Sequence, residues 1–205
     1  MRAELNAILT EEPGAAPKIA ESLFECALYE RDSDAVDRAL AFIPQEGITA
    51  FPELVLPREW YVGIAARTFN RSDAARAAFE ATRTILERLV SQEPDHALAW
   101  SILGRVEAAL GRKEEAIRSG RRACEILPLS REATSGRRPL RNLIKIYTWT
   151  GEKDLALEQL ERSALEPMNT SYGELRLDPE WDPLRGDPRF DQIVASLAPK
   201  NKANQ

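Results

Sequence analysis

Apolar residues return along this chain at intervals of three and four, the spacing of one face of an α-helix. Phe24, Leu28, Val36, Ala39, Leu40 and Ile43 form one such stripe, and Leu140, Leu143, Ile144 and Tyr147 form another. Strand-like alternation of useful length does not occur, β-branched runs are few, and the pattern predicts an all-α chain. The stripes also come in pairs. Gly111-Arg-Lys-Glu-Glu-Ala116 is nearly repeated as Gly151-Glu-Lys-Asp-Leu-Ala156, each copy coming after one apolar helical stretch and before another. The repeating unit is therefore a helix pair with a glycine at its turn, and such a unit buries its apolar face only by stacking on neighbours. Asn70-Arg-Ser-Asp-Ala-Ala75 with Phe79 after it predicts a third unit, and Glu30-Arg-Asp-Ser-Asp-Ala35 a shorter fourth.

Helix-end chemistry agrees with this division. Asp32 or Ser33, Ser72 and Asp95 can each offer an oxygen to free amides at a helix start, while Gly111 and Gly151 can end helices in the left-handed region. Pro44, Pro57, Pro94, Pro128 and Pro139 fall between helices or at their starts, where the missing N–H costs least. His96, after Asp95, reads as an exposed first-turn residue.

Trp100, Leu103 and Gly104, then Ala116, Ala123 and Pro128, resemble the tetratricopeptide (TPR) pattern of helical-hairpin repeats. Leu140, Leu143, Ile144, Tyr147, Ala156 and Leu160 fill the corresponding places of the next copy. Two positions depart from it: Glu107 replaces the usual aromatic and Gly120 the usual Phe, which predicts looser packing in that unit. The resemblance implies a right-handed TPR-type solenoid of about four helix pairs over residues 1–170. It implies one array with no need to split into separate domains.

Three Asp-Pro steps surround Trp181 and Phe190 in the segment from Leu175 to Phe190. Proline bars regular helix at each step, and an aspartate before it can cap a helix starting there. Residues 171–199 are expected to form a compact turn and a capping helix from about Pro188 to Leu197, covering the apolar side of the last repeat, with 200–205 a disordered tail. Asp178, Asp182, Asp187 and Asp191 read as capping or first-turn carboxylates rather than as a general acid and base. Together with the repeats, Tyr172 to Phe190 resembles the C-terminal TPR region of bacterial signalling proteins in which a serine/threonine kinase, nucleotide cyclase or winged-helix regulator domain comes first. That resemblance implies an interaction or regulatory module, either stand-alone or detached from a missing N-terminal part.

Composition narrows the chemistry. The 205 residues carry a formal net charge of −5, one histidine and two cysteines. Cys26 and Cys124 fall inside apolar stretches and read as small core residues. One histidine and no paired cysteine spacing argue against a metal site. No nucleophile with its base, no phosphate loop and no cofactor motif can be assembled, so no catalytic residue or cofactor is assigned. No N-terminal apolar run is long enough for a signal peptide or a membrane span, which predicts a soluble, cytoplasmic chain.

On the first helix of each pair, residues three or four apart share one side and would line the inner face of the array. The inward set around Trp100 and Leu140 includes Ser101, Arg105, Arg138, Arg141, Lys145 and Trp149, with Trp60 from the preceding unit as an added aromatic; the resemblance to chaperone-binding TPR clamps, which carry lysine, asparagine and arginine on comparable faces, adds Asn142. This basic face against an acidic background predicts binding of an acidic peptide, a partner domain or a missing part of the same polypeptide. The alternative is that these cations are solvated or paired with nearby glutamates. The acidic balance disfavours nucleic acid. A different function, self-association, would use Phe51, Leu54, Val55, Leu56 and Trp60 in the most apolar linker of the chain.

Overall fold

A computed structural model describes residues 2–51, 54–129, 136–164 and 170–199; the tail assigned to 200–205 lies outside the described residues. Among the described residues the structure is all-α apart from one short hairpin, and the chain divides into two compact units, Met1–Gln92 and Glu93–Gln205.

The first unit contains α1 (Arg2–Glu11), a 3-10 turn, α2 (Ala16–Tyr29), α3 (Ser33–Phe42), a hairpin of β1 (Ile48–Phe51) and β2 (Leu54–Leu56), then α4 (Arg58–Thr68) and α5 (Ser72–Gln92). Two aromatic pairs stand within its largely aliphatic core. Phe24 of α2 meets Tyr61 of α4 edge to face at 5.4 Å, and Trp60 meets Phe79 of α5 at 6.1 Å. Phe79 lies so close to Gly63 that a Cβ there would stand 2.7 Å from the ring, so glycine sets the approach of α4 and α5. The Tyr61 hydroxyl donates to Glu21 at 2.9 Å, and burial together with that carboxylate raises its pKa.

The hairpin corrects the expectation of no strand. Ile48, Thr49 and Val55 are β-branched and Phe51 is aromatic, and Ile48 pairs with Leu56 and Thr49 with Val55 in antiparallel register. Gly47 makes the ribbon possible: its φ is +102°, and a Cβ would fall 2.0 Å from the Leu56 carbonyl oxygen. Leu54, Leu56 and Trp60, three of the residues considered for self-association, are buried in the unit; Val55 is half exposed, and the Phe51 side chain lies outside the described part.

The second unit runs α6 (Ala97–Ala109), α7 (Lys113–Ile126), α8 (Arg137–Trp149), α9 (Lys153–Ala164), α10 (Tyr172–Leu177), a 3-10 segment (Pro179–Leu184) and α11 (Pro188–Ser196). Helix α8 packs on α6, α7 and α9. The C-terminal segment closes the end of this stack: Leu175, Trp181, Leu184, Phe190 and Ile193 join Leu143, Tyr147, Leu157 and Leu160 in one core. Burying each such side chain contributes about 1.5–3 kcal/mol. Asp178 and Asp187 cap the 3-10 segment and α11, accepting from the Glu180 and Arg189 amides.

One turn recurs in both units. Arg31, Asn70, Gly111 and Gly151 have φ of 58°, 57°, 77° and 80°, each just past the first helix of a pair. The next amide in each case bonds the carbonyl five residues back: Asp32 to Ala27, Arg71 to Ala66, Arg112 to Glu107 and Glu152 to Tyr147. This is the 6→1 bond of a Schellman cap, which satisfies carbonyls that the helix end would leave bare. The pairs α2–α3, α4–α5, α6–α7 and α8–α9 thus share one corner. At the start of α3, Asp32 accepts from the Ala35 amide as expected. At α6 the cap is His96 rather than Asp95, with Nδ1 accepting from Ala99 at 3.4 Å.

The looser packing expected at Glu107 and Gly120 is not found. Glu107 is buried and accepts from the Ser119 hydroxyl at 2.6 Å, so a polar bridge joins α6 and α7 where an aromatic was expected. Gly120 is filled from α8: a Cβ there would stand 2.7 Å from Ile146 Cδ1 and 2.9 Å from Leu143 Cδ1. At Gly104 a Cβ would also stand 2.9 Å from the Ala116 carbonyl oxygen. Backbone cannot step aside as a side-chain tip can. Gly104→Ala should therefore lower unfolding stability by about 1–3 kcal/mol in urea titrations. Gly120→Ala, where helix propensity returns about 1 kcal/mol, should stay within about 1 kcal/mol of the parent.

Candidate partner-binding face

Helices α6 and α8 carry seven of the predicted contacts, and helical spacing aligns them: Ser101 with Arg105, and Arg138, Arg141, Asn142, Lys145 and Trp149 in successive turns. A polar ladder joins the two helices. Asn142 Nδ2 donates to Ser101 Oγ at 2.8 Å, and Arg105 donates to Asn142 Oδ1 at 3.4 Å.

Opposite this ladder lies the chain's own C-terminal segment. Lys145 Nζ is 2.9 Å from Asp178 and 3.3 Å from Glu180. Arg105 forms a second ion pair with Glu180, and its guanidinium stacks over the Trp149 ring at 5.4 Å. Trp149 Nε1 donates to the Glu180 carbonyl oxygen at 3.1 Å, while the Lys145 ammonium lies 5.3 Å from the Trp181 ring centre. Arg141 faces Glu174 at 3.7 Å on the rim.

The face is therefore occupied. Arg105 and Lys145 are each only 7% exposed and Asp178 is 5% exposed, values of an interior and not of an open groove. Arg138 stays exposed at the start of α8. Trp60, placed by sequence on the same face, is a core residue of the first unit, 5% exposed and packed on Phe79.

The interior balances two cations against two carboxylates. Burial alone would push Glu180 toward its neutral form, yet Arg105 and Lys145 outweigh it and hold the carboxyl below its ordinary value. Burial likewise works against the Lys145 charge, but Glu180 and Asp178 prevail and raise its pKa. Desolvating each ion costs several kcal/mol, so the arrangement is stable only with both signs present.

Sequence reasoning assigned Asp178 to capping alone and did not single out Glu174 or Glu180. The signal was available as charge complementarity, since the acidic stretch Glu174-Leu-Arg-Leu-Asp-Pro-Glu180 lies in the same chain as a basic helix face.

Other chemistry is sparse among the described residues. No group of three or more His, Cys, Asp and Glu is placed to hold a metal, and no helix is long and apolar enough to cross a membrane. Cys26 and Cys124 are free thiols; burial pushes Cys124 up to about 11 and raises Cys26 as well, which disfavours the reactive thiolate. Comparison of the chain with protein-family models, curated proteins and solved structures finds no match.

The buried charges make two outcomes measurable. Lys145→Met leaves Asp178 without its cation and should cost about 3–5 kcal/mol by urea unfolding. The Glu180 contribution is complete above 4.5, the ordinary value of its carboxyl, and is lost as pH falls through the lowered folded value. The Lys145 contribution is complete below 10.5 and is lost as pH rises through its raised value. Urea midpoints measured from about pH 7 to about pH 3 should fall steeply in the parent and less steeply in Glu180→Gln, which starts lower.

Proposed function

We propose that this chain is a non-catalytic protein-interaction module of tetratricopeptide-like helix pairs, whose basic face recognises an acidic segment and holds residues 171–199 as that segment in cis. The observation that carries the reading is the meeting of Arg105, Arg141 and Lys145 with Glu180, Glu174 and Asp178 from one separate stretch of chain. Four helix pairs with one turn geometry support a repeat architecture, and small residues at Gly104, Ala116 and Ala156 support close stacking. A face built this way suits a partner whose carboxylates match that spacing and whose tryptophan can lie against Lys145. An external partner would replace the cis segment, which gives the module a closed state and an open one.

Reconstitution tests this reading. A chain ending at Thr170 and a labelled peptide of residues 171–199 should bind saturably by fluorescence anisotropy, with affinity falling as salt rises. A peptide carrying Glu174→Gln, Asp178→Asn and Glu180→Gln should bind at least about tenfold more weakly. Equal binding of the two peptides would show that apolar contacts alone hold the segment, and the proposed carboxylate recognition would be wrong.

A further inference from the structure

The first unit contains a cleft at the edge of its core. It lies among α1, α2 and α3, has a volume of about 370 Å³, and is walled by Leu9, Leu23, Ala35, Ala39 and Phe42. That volume is at the small end of the roughly 300–1,000 Å³ typical of small-molecule sites. Phe42, which lines the cleft, is 38% exposed, so apolar surface reaches its mouth. Exposed apolar side chains gathered around a concave apolar surface mark a binding site more often than single scattered ones do.

Two cations line the same cleft, in different states. Arg2 is committed, at 2.7 Å to Asp32 and 2.9 Å to Glu30. Arg38 lines the cleft from α3 and makes no hydrogen bond or ion pair to another described residue. Asp32, whose field it feels, is already held by Arg2 and the Ala35 amide. The guanidinium of Arg38 therefore remains available to an incoming anion, beside walls that favour hydrocarbon.

We infer that this cleft binds a single-chain carboxylate amphiphile of medium length, its tail against Leu9, Leu23 and Phe42 and its head on Arg38. A planar guanidinium matches a carboxylate through paired hydrogen bonds, and burial of each methylene adds to affinity. The site lies wholly within Met1–Gln92 and does not depend on the acidic-segment reading of the second unit.

The probe is decanoate, titrated into the full chain below its aggregation concentration and followed by NMR of the alanine and leucine methyl groups, with decanol as an uncharged control. Decanoate should saturate with shifts at Ala35, Ala39 and Leu23, and decanol should bind about tenfold more weakly. Arg38→Gln should bring decanoate down to the decanol level. Ala41→Trp, at an exposed position on the cleft wall, should block both ligands while circular dichroism shows an unchanged fold. Absence of saturation, or equal binding of the two ligands that Arg38→Gln leaves unchanged, would overturn the inference. So would a ligand-free mass that doubles with concentration and returns to the monomer in Ala41→Trp, because a second copy of the chain would then fill the cleft.

Discussion

The second unit depends on one electrostatic contact, the meeting of Arg105 and Lys145 with Asp178 and Glu180. Apolar packing brings the C-terminal segment onto α8 and α9, but hydrophobic contact tolerates sliding, and ion pairs do not. A shift of one residue along the 3-10 segment would move both carboxylates off their cations and leave buried charge of each sign uncompensated. The pairing therefore sets the register in which Trp181, Leu184 and Phe190 enter the core. The same contact explains why cations that helical spacing places on a lining face are not open to solvent.

The helical class and the corners of the pairs α6–α7 and α8–α9 were readable because two independent signals coincide, the three-to-four apolar spacing and the glycine at the corner. Gly111 and Gly151 advertise a left-handed turn, and the structure has one at each. At Arg31 and Asn70 the same backbone is carried by residues with a Cβ, so no glycine marks the corner. Comparison of the turns places the first one residue later than Glu30 would suggest. The hairpin was missed for a related reason: it is too short to show an alternating pattern, and its main determinant is the space that Gly47 leaves for the Leu56 carbonyl.

The candidate site was legible in its composition but not in its state. Helical spacing places Ser101, Arg105, Lys145 and Trp149 on one side, and the structure groups them there, with Asn142 bonded to Ser101 and Arg105. Spacing within a helix says nothing about what lies across from it, however. The occupant comes from more than thirty positions away in sequence, at Asp178 and Glu180. Trp60 failed as a groove residue because a tryptophan on a first helix fits equally well between α4 and α5, where Phe79 receives it. Gly120 misled in the opposite direction: a missing aromatic suggested a gap, but Ile146 and Leu143 of the next pair occupy it.

The order of residues along the chain gives the ionic interior a consequence for synthesis. Arg105 and Lys145 leave the ribosome well before Asp178 and Glu180, so the growing chain carries two cations whose counter-charges do not yet exist. Until position 180 has emerged, α6 and α8 cannot close over those side chains without burying them unpaired, and the apolar ends of α8 and α9 stay wet. The second unit is completed only when nearly all of it has been made. A product broken off before that point would display a basic, apolar surface open to chaperones and proteases, so the segment from Glu174 to Phe190 decides whether α6 and α8 can close over their charges.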